Sequence, residues 1–270
     1  MGMVYNLRES DERIYPQGEL GRRTIGLTGD RGNYGIEAVY REELAGRDGR
    51  ATRQRIARGF YGRVVDGDNI DPIDGLDVVT TLDLDVQDVA NRYLREQLEA
   101  QNAIWGTTIV MEVRTGEILA LVNLGRTPGG GYAERENYAI GRNTEPGSTF
   151  KLASMLLLLD DADMPLDQTY DTGNGRVVKV GGIRVQDSHA GFNDMDFRTA
   201  VAQSSNVYFA KAIWERYADN KERYSDFMKK LHLDQTVGLE AFGEKKPLFQ
   251  DWKEAVSYTH LRAHETGRNL

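Results

Sequence analysis

Ser148 and Lys151 are the residues of this sequence whose types and spacing could do covalent chemistry. They stand in Glu145-Pro146-Gly147-Ser148-Thr149-Phe150-Lys151, where Pro146 and Gly147 close a loop and turn the chain into a helix. A serine at the helix start and a lysine one turn later share a face. A serine hydroxyl is a weak nucleophile at neutral pH and needs a base within hydrogen-bond reach. Lysine is such a base only as the neutral amine, and burial together with the positive end of the helix dipole would lower its pKa. Ser-Lys is a recurring variant of the serine triad logic. The bland alternative is a surface lysine beside a capping serine, and Ser-x-x-Lys should arise by chance about once in a chain of this length.

Two features favour the chemical reading. Residues 152–159 are almost wholly apolar, so Ser148 should open a helix buried on all sides in the core. A second polar cluster, Ser204-Ser205-Asn206, separates two predicted helices. Alone it reads as a polar loop or as an N-cap for a helix over 207–217. Paired with Ser148 and Lys151, it could bring a hydroxyl and an amide into the same cleft.

Composition excludes several other chemistries. The sequence has no cysteine, which removes disulfides, thiolate metal sites and cysteine catalysis from the residues shown. Its four histidines lack metal-ligand spacing; His260 and His264 are four apart without the acidic partner of a metalloprotease helix. No metal site is expected. A net charge of -8 argues against a general nucleic-acid binder. Hydrophobic residues make up 40% of the 270, enough for a packed core. Met1 is followed by a polar stretch, and residues 152–159 are too short an apolar run to span a bilayer.

The elements that must position these groups follow from periodicity. Residues 1–75, rich in Gly, Arg and Asp, predict turns and short strands without a strong helical period. The basic cluster Arg47, Arg50, Arg53, Arg55, Arg58 and Arg63 reads as the solvated face of a hairpin, and the alternation around residues 52–56 favours strand. Residues 78–81 are β-branched and predict a strand. A helix is expected over 85–101, with Val86, Val89, Ala90, Tyr93, Leu94 and Leu98 on its apolar face and Asp83 or Asp85 as cap. Residues 107–113 and 117–124 predict a hairpin turning at Arg114-Thr115-Gly116. Residues 132–144 predict loop. Further helices are expected over 198–203, 207–217 and 221–231. Helices beside an antiparallel hairpin indicate an α+β domain.

At these residues the sequence resembles the class B penicillin-binding proteins, the division-type peptidoglycan D,D-transpeptidases. The resemblance covers Thr81-Leu82-Asp83 with Gln87, Thr115-Gly116-Glu117-Ile118-Leu119-Ala120, Asn137-Tyr138-Ala139-Ile140 and both polar clusters. Upstream, Gly35-Ile36-Glu37 and Leu44-Ala45-Gly46 look like the family's pedestal. The resemblance implies the penicillin-binding, serine transpeptidase fold, with a partial pedestal over 1–75 and a partial transpeptidase domain over 76–256. It implies that Ser148 attacks the penultimate D-Ala of a D-Ala-D-Ala stem peptide. Lys151 takes the Ser148 proton, Ser204 relays a proton to the leaving amine, and Asn206 holds the donor peptide. The backbone N–H of Ser148 would form half of an oxyanion hole. It also implies that no metal or cofactor is needed, with β-lactams as stalled acylating agents, and division-complex membrane proteins including a glycosyltransferase as partners. The localisation it implies is a single-pass inner-membrane anchor with the catalytic domain in the periplasm.

The sequence departs from the family in two places. The family's Lys-Thr-Gly strand lies farther along than residues 207–270 reach, and Glu265-Thr266-Gly267 lacks the lysine. Residues 257–270 stop resembling the family and read as a non-native tail. The chain is therefore expected to be cut at both ends. The competing readings are an elongation-type transpeptidase, a serine β-lactamase, and a non-catalytic penicillin sensor or scaffold.

Overall fold

The computed structural model describes residues 13–29, 32–49, 53–57, 60–63, 70–249 and 252. The chain divides into two compact units, Met1–Arg142 with Gly238–Glu244, and Asn143–Val237 with Lys245–Leu270. The boundary read from sequence at 75/76 falls inside the first unit, and the proposed tail at 257–270, with His260, His264 and Thr266, lies outside the described residues.

The first unit begins with α1 (Arg22–Ile25), α2 (Gly35–Val39) and α3 (Arg41–Ala45), single turns in a region expected to hold only turns and strands. An antiparallel hairpin follows, β1 (Arg53–Ala57) with β2 (Phe60–Arg63), as the alternation suggested. Of the basic cluster, Arg47 is exposed, while Arg50 and Arg58 lie outside the described residues.

Residues 78–81 do not form a strand. That segment runs beside β4 (Ile118–Arg126) but joins it through the Thr81 hydroxyl, which donates to the Ile118 carbonyl at 2.7 Å. The Asp83 N–H then donates to the Leu119 carbonyl at 2.9 Å. The β-branched run fits an extended backbone, but too few ladder bonds form to make it a strand.

Asp83, rather than Asp85, caps α4 (Leu84–Ala100); its carboxylate accepts the N–H groups of Asp85 and Val86 at 2.9 and 3.0 Å. The buried face of α4 is rotated from the one the spacing suggested. Val89 and Tyr93 are 44% and 56% exposed, whereas Gln87 is buried. The Gln87 amide donates to the Leu121 carbonyl at 3.0 Å and accepts the Leu121 N–H at 2.8 Å, standing in for a neighbouring strand along β4. Leu98 packs with Val122, Leu124 and Tyr132, joined by Ala90 and Leu94.

β3 (Trp105–Met111) and β4 form the expected hairpin, and β5 (Tyr132–Ala133) adds to the far side of β4. Gly116 sits at φ 79 in the turn and donates to the Glu112 carbonyl at 2.8 Å, a conformation that favours glycine there. β5 and the short helix α5 (Tyr138–Gly141) both lie in the stretch expected to be loop. Trp105 stacks on Tyr138 at 4.8 Å, which gives that turn a tertiary anchor that periodicity could not reveal.

The second unit opens with a 3-10 turn over Gly147–Phe150, runs into α6 (Lys151–Leu156), and continues as a π turn over Leu157–Asp161. The expected single helix is thus three successive geometries. It is not buried on every side. Leu157 and Leu158 are fully buried, but Leu152, Leu156 and Leu159 are 60%, 43% and 38% exposed. Two small antiparallel strand pairings follow: β6 (Tyr170–Asp171) pairs with β9 (Asp194–Met195), and β7 (Val178–Val180) pairs with β8 (Ile183–Val185). Helices α7 (Phe197–Ala202), α8 (Asn206–Tyr217) and α9 (Lys221–Lys230) lie where expected. Leu157, Leu158, Tyr208, Phe209, Ile213, Tyr217 and Met228 make one core, and Val180 and Val185 pack the β7–β8 hairpin on α8 through Val207 and Ala210. The α+β class expected from the sequence is what the structure shows.

Candidate active site

The site is built within the second unit, from the turn before α6 and the turn between α7 and α8. Gly147 enters at φ 58, in the left-handed region that glycine tolerates, and the chain then winds as a 3-10 turn. In a 3-10 turn, residues i and i+3 eclipse one another. Ser148 and Lys151 therefore meet more directly than α geometry would bring them, and Lys151 Nζ lies 3.1 Å from Ser148 Oγ. Lys151 is 8% exposed. Its Nζ also lies 2.9 Å from Ser204 Oγ and 2.5 Å from the Ser204 carbonyl oxygen.

The turn that delivers Ser204 is a helix C-cap. The Ser205 N–H donates to the Ala200 carbonyl at 2.9 Å, and the Ser204 N–H to the Val201 carbonyl at 3.1 Å. This pair of bonds is the Schellman pattern, in which the residue after the cap is left-handed and usually glycine. Here that residue is Ser204, at φ 51. A non-glycine in this conformation is strained by about 1–2 kcal/mol, and such strain gathers at functional sites.

Ser205 then caps α8. Its Oγ accepts the Tyr208 N–H at 3.0 Å and donates to Asp187 Oδ2 at 2.8 Å. The other Asp187 oxygen accepts the Val207 N–H at 2.9 Å. The Asn206 amide donates to the Gln186 carbonyl at 3.1 Å. Tyr208 anchors the helix from within; its hydroxyl donates to the Gln168 carbonyl at 2.7 Å, and burial pushes that phenol well above its ordinary range, so it stays a neutral donor.

Of the four residues singled out from sequence, the structure brings Ser148, Lys151 and Ser204 into one hydrogen-bonded cluster and sets Asn206 two residues beyond, at the start of α8. The helix-capping alternative for the second cluster is also present, but it falls on Ser205. Gln186 and Asp187 were missed. They sit on the segment leaving β8, and no spacing in the sequence ties that segment to residues 204–206. No group of His, Asp or Glu suited to a metal ion occurs among the described residues.

The chemistry available follows from counting donors. A neutral lysine amine has two N–H groups and one lone pair. The Ser204 carbonyl accepts only, so it takes one N–H. An amine that turns its lone pair to Ser148 and its N–H to Ser204 is set to draw the proton from Ser148 Oγ.

Comparison with known proteins agrees with this geometry. A family described as "Penicillin binding protein transpeptidase domain" matches residues 106–262. The probable peptidoglycan D,D-transpeptidase PenA of Neisseria gonorrhoeae is 31% identical over 253 residues, covering 90% of this chain and 42% of that protein. The peptidoglycan D,D-transpeptidase FtsI of Escherichia coli is 26% identical, covering 92% of this chain and 42% of that protein. Among solved structures, a peptidoglycan synthetase from Bifidobacterium adolescentis matches with a TM-score of 0.75 at 25% identity, covering 93% of this chain and 46% of that one. The chain spans less than half the length of these relatives. A serine, a lysine and a second serine in contact, on a fold shared with these proteins and inside a family match that takes in more than half of the sequence, have one joint meaning: the chain belongs to the penicillin-binding protein transpeptidase family, among relatives of class B.

Proposed function

We propose that this chain carries the acylation centre of a peptidoglycan D,D-transpeptidase that cross-links stem peptides at the division septum. The observation that carries the reading is the placement of Lys151 Nζ between Ser148 Oγ, at 3.1 Å, and Ser204 Oγ, at 2.9 Å. Ser148 Oγ attacks the carbonyl carbon of the penultimate D-Ala, and its proton passes to Lys151. The peptide C–N bond breaks, and the leaving amine takes a proton through Ser204, so free D-Ala departs and an ester to Ser148 remains. An amine from a second stem peptide then attacks that ester, forms the new amide and returns the proton to Ser148. Asn206 spends one amide N–H on Gln186 and offers its remaining amide groups to the donor peptide. The Ser148 N–H faces the developing oxyanion.

β-Lactams, whose strained amide resembles the D-Ala-D-Ala bond, acylate Ser148 in the same way and stall there. Residues 1–75 act as pedestal and 76–256 as catalytic domain. The whole protein works from the inner membrane with its catalytic part in the periplasm, alongside a glycosyltransferase and other division proteins. The relatives named PenA and FtsI support the reaction class. No helix among the described residues is long and apolar enough to cross a membrane. The test is release of D-Ala from a synthetic stem peptide ending in D-Ala-D-Ala, by the product of the complete reading frame. Release that Ser148→Ala abolishes supports the reading; release that survives it overturns the reading.

A further inference from the structure

We infer that Asp187 is a positioning residue for Ser204, holding the strained turn that keeps the Ser204 hydroxyl on Lys151. The inference rests on the functional reading above and goes beyond it, because Asp187 belongs to neither polar cluster.

Asp187 is buried, and both its carboxylate oxygens are used on the turn between α7 and α8. One accepts the Ser205 hydroxyl at 2.8 Å and the other the Val207 N–H at 2.9 Å. The Val207 N–H is one that the first turn of α8 leaves without an intrahelical partner. A carboxylate there also meets the positive end of the helix dipole. The adjoining Gln186 carbonyl accepts the Asn206 amide, at 3.1 Å. The dipeptide leaving β8 thus clamps residues 205, 206 and 207 in succession. The hairpin behind it is itself fixed, since Val180 and Val185 are buried against Val207 and Ala210 of α8.

Ser204 is the residue just before this clamp. Its φ of 51 is one that a serine leaves when unconstrained. The Schellman bonds from Ser204 and Ser205 hold it on the α7 side. On the α8 side the restraint passes through Ser205, whose hydroxyl donates to Asp187. Removing the carboxylate strands the Val207 N–H and the Ser205 proton in a buried place, and the least costly relief is for the turn to shift. Such a shift carries Ser204 Oγ off Lys151 Nζ, now 2.9 Å away. A displacement of about 1 Å in a reacting group is worth up to roughly 100-fold in rate.

An ordinary structural carboxylate would weaken the fold without singling out Ser204, and a mutant cycle separates the two. The rate constant for acylation by a fluorescent penicillin is measured for the product of the complete reading frame, for Asp187→Ala, for Ser204→Ala and for the double variant. Asp187→Ala is expected to slow acylation about 10- to 100-fold. In the Ser204→Ala background the same change should cost less than about threefold, because residues acting as one unit do not add. Asp187→Asn keeps the volume and an acceptor for Val207, so its rate should lie between. If a thermal melt shows Asp187→Ala unfolded, Asp187→Asn replaces it in the same cycle. Equal losses in both backgrounds, or acylation by the folded Asp187 variant within twofold of normal, would overturn the inference and leave the functional reading standing. No acylation of the unsubstituted protein would remove the functional reading and this inference with it.

Discussion

Ser204 holds the left-handed position that ends α7 and in the same conformation turns two oxygens on Lys151, its carbonyl at 2.5 Å and its hydroxyl at 2.9 Å from Nζ. The strain and the contact share one cause. Glycine would take the backbone without strain, but it would bring no hydroxyl. A lysine pinned by a carbonyl has fewer ways to orient its lone pair, so in the proposed mechanism the Ser204 backbone would aim the base while its hydroxyl serves as relay.

Ser204→Gly should therefore separate stability from activity. The variant relieves a left-handed serine but adds freedom to the unfolded chain, so its stability should be unchanged or higher by about 1 kcal/mol. Acylation by penicillin should nonetheless fall by about tenfold or more, since the relay hydroxyl is gone. Urea unfolding and acylation kinetics on one preparation check both halves. Loss of stability alongside loss of acylation would show that the serine is there for the fold.

Lys151 gives a second separation. Lys151→Ala should slow acylation about 100- to 10,000-fold, the usual range for removing a general base. Lys151→Arg should fail as well, because a guanidinium stays charged and cannot accept the proton. Stopped-flow acylation by a chromogenic cephalosporin checks both. Near-normal acylation by the arginine variant would make the lysine a structural donor to the Ser204 carbonyl.

How much of this the sequence disclosed depended on whether the information was local. The Ser148–Lys151 pair was legible because one helical turn joins its members, although the 3-10 winding that brings them to 3.1 Å was not. α8 and α9 were legible at nearly their observed bounds. Gln87 was absent from the buried face read from spacing because periodicity sorts apolar residues from polar ones, and a glutamine that satisfies both backbone groups of Leu121 is buried for a reason found only in the tertiary structure. Residues 78–81 have the side chains of a strand but depend on a neighbour to supply the ladder. Leu152, Leu156 and Leu159 show the converse: an apolar sequence says that burial is favourable, not which faces are covered. Asp187 was invisible because its partners are some twenty residues away on another element.

Glu134 sets a pH dependence in the first unit. Its Oε2 accepts the Arg23 N–H at 2.8 Å, while Oε1 is buried with no partner among the described residues. Burial pushes this carboxyl up to about 7, against the backbone hydrogen bonds from Arg23 and Gly21 that lower it. Between the ordinary glutamate value and about 7, the folded chain holds a proton that the unfolded chain has released. The stability this group contributes is therefore complete below the unfolded value and is lost as the pH rises through about 7. Urea unfolding at pH 5, 6, 7 and 8 should show that decline, and Glu134→Gln, neutral at every pH, should flatten it. An unchanged slope in the glutamine variant would assign the decline to other groups.

That Ser148 is the acylated nucleophile is the proposal on which the rest depends. It is tested most directly by treating the product of the complete reading frame with a fluorescent penicillin, digesting it, and mapping the adduct by mass spectrometry. A single adduct is expected on Ser148, the only serine of the sequence followed three residues later by lysine, and it should be lost in Ser148→Ala. An adduct on Ser204, Ser205 or any other residue, or labelling that survives Ser148→Ala, would contradict it.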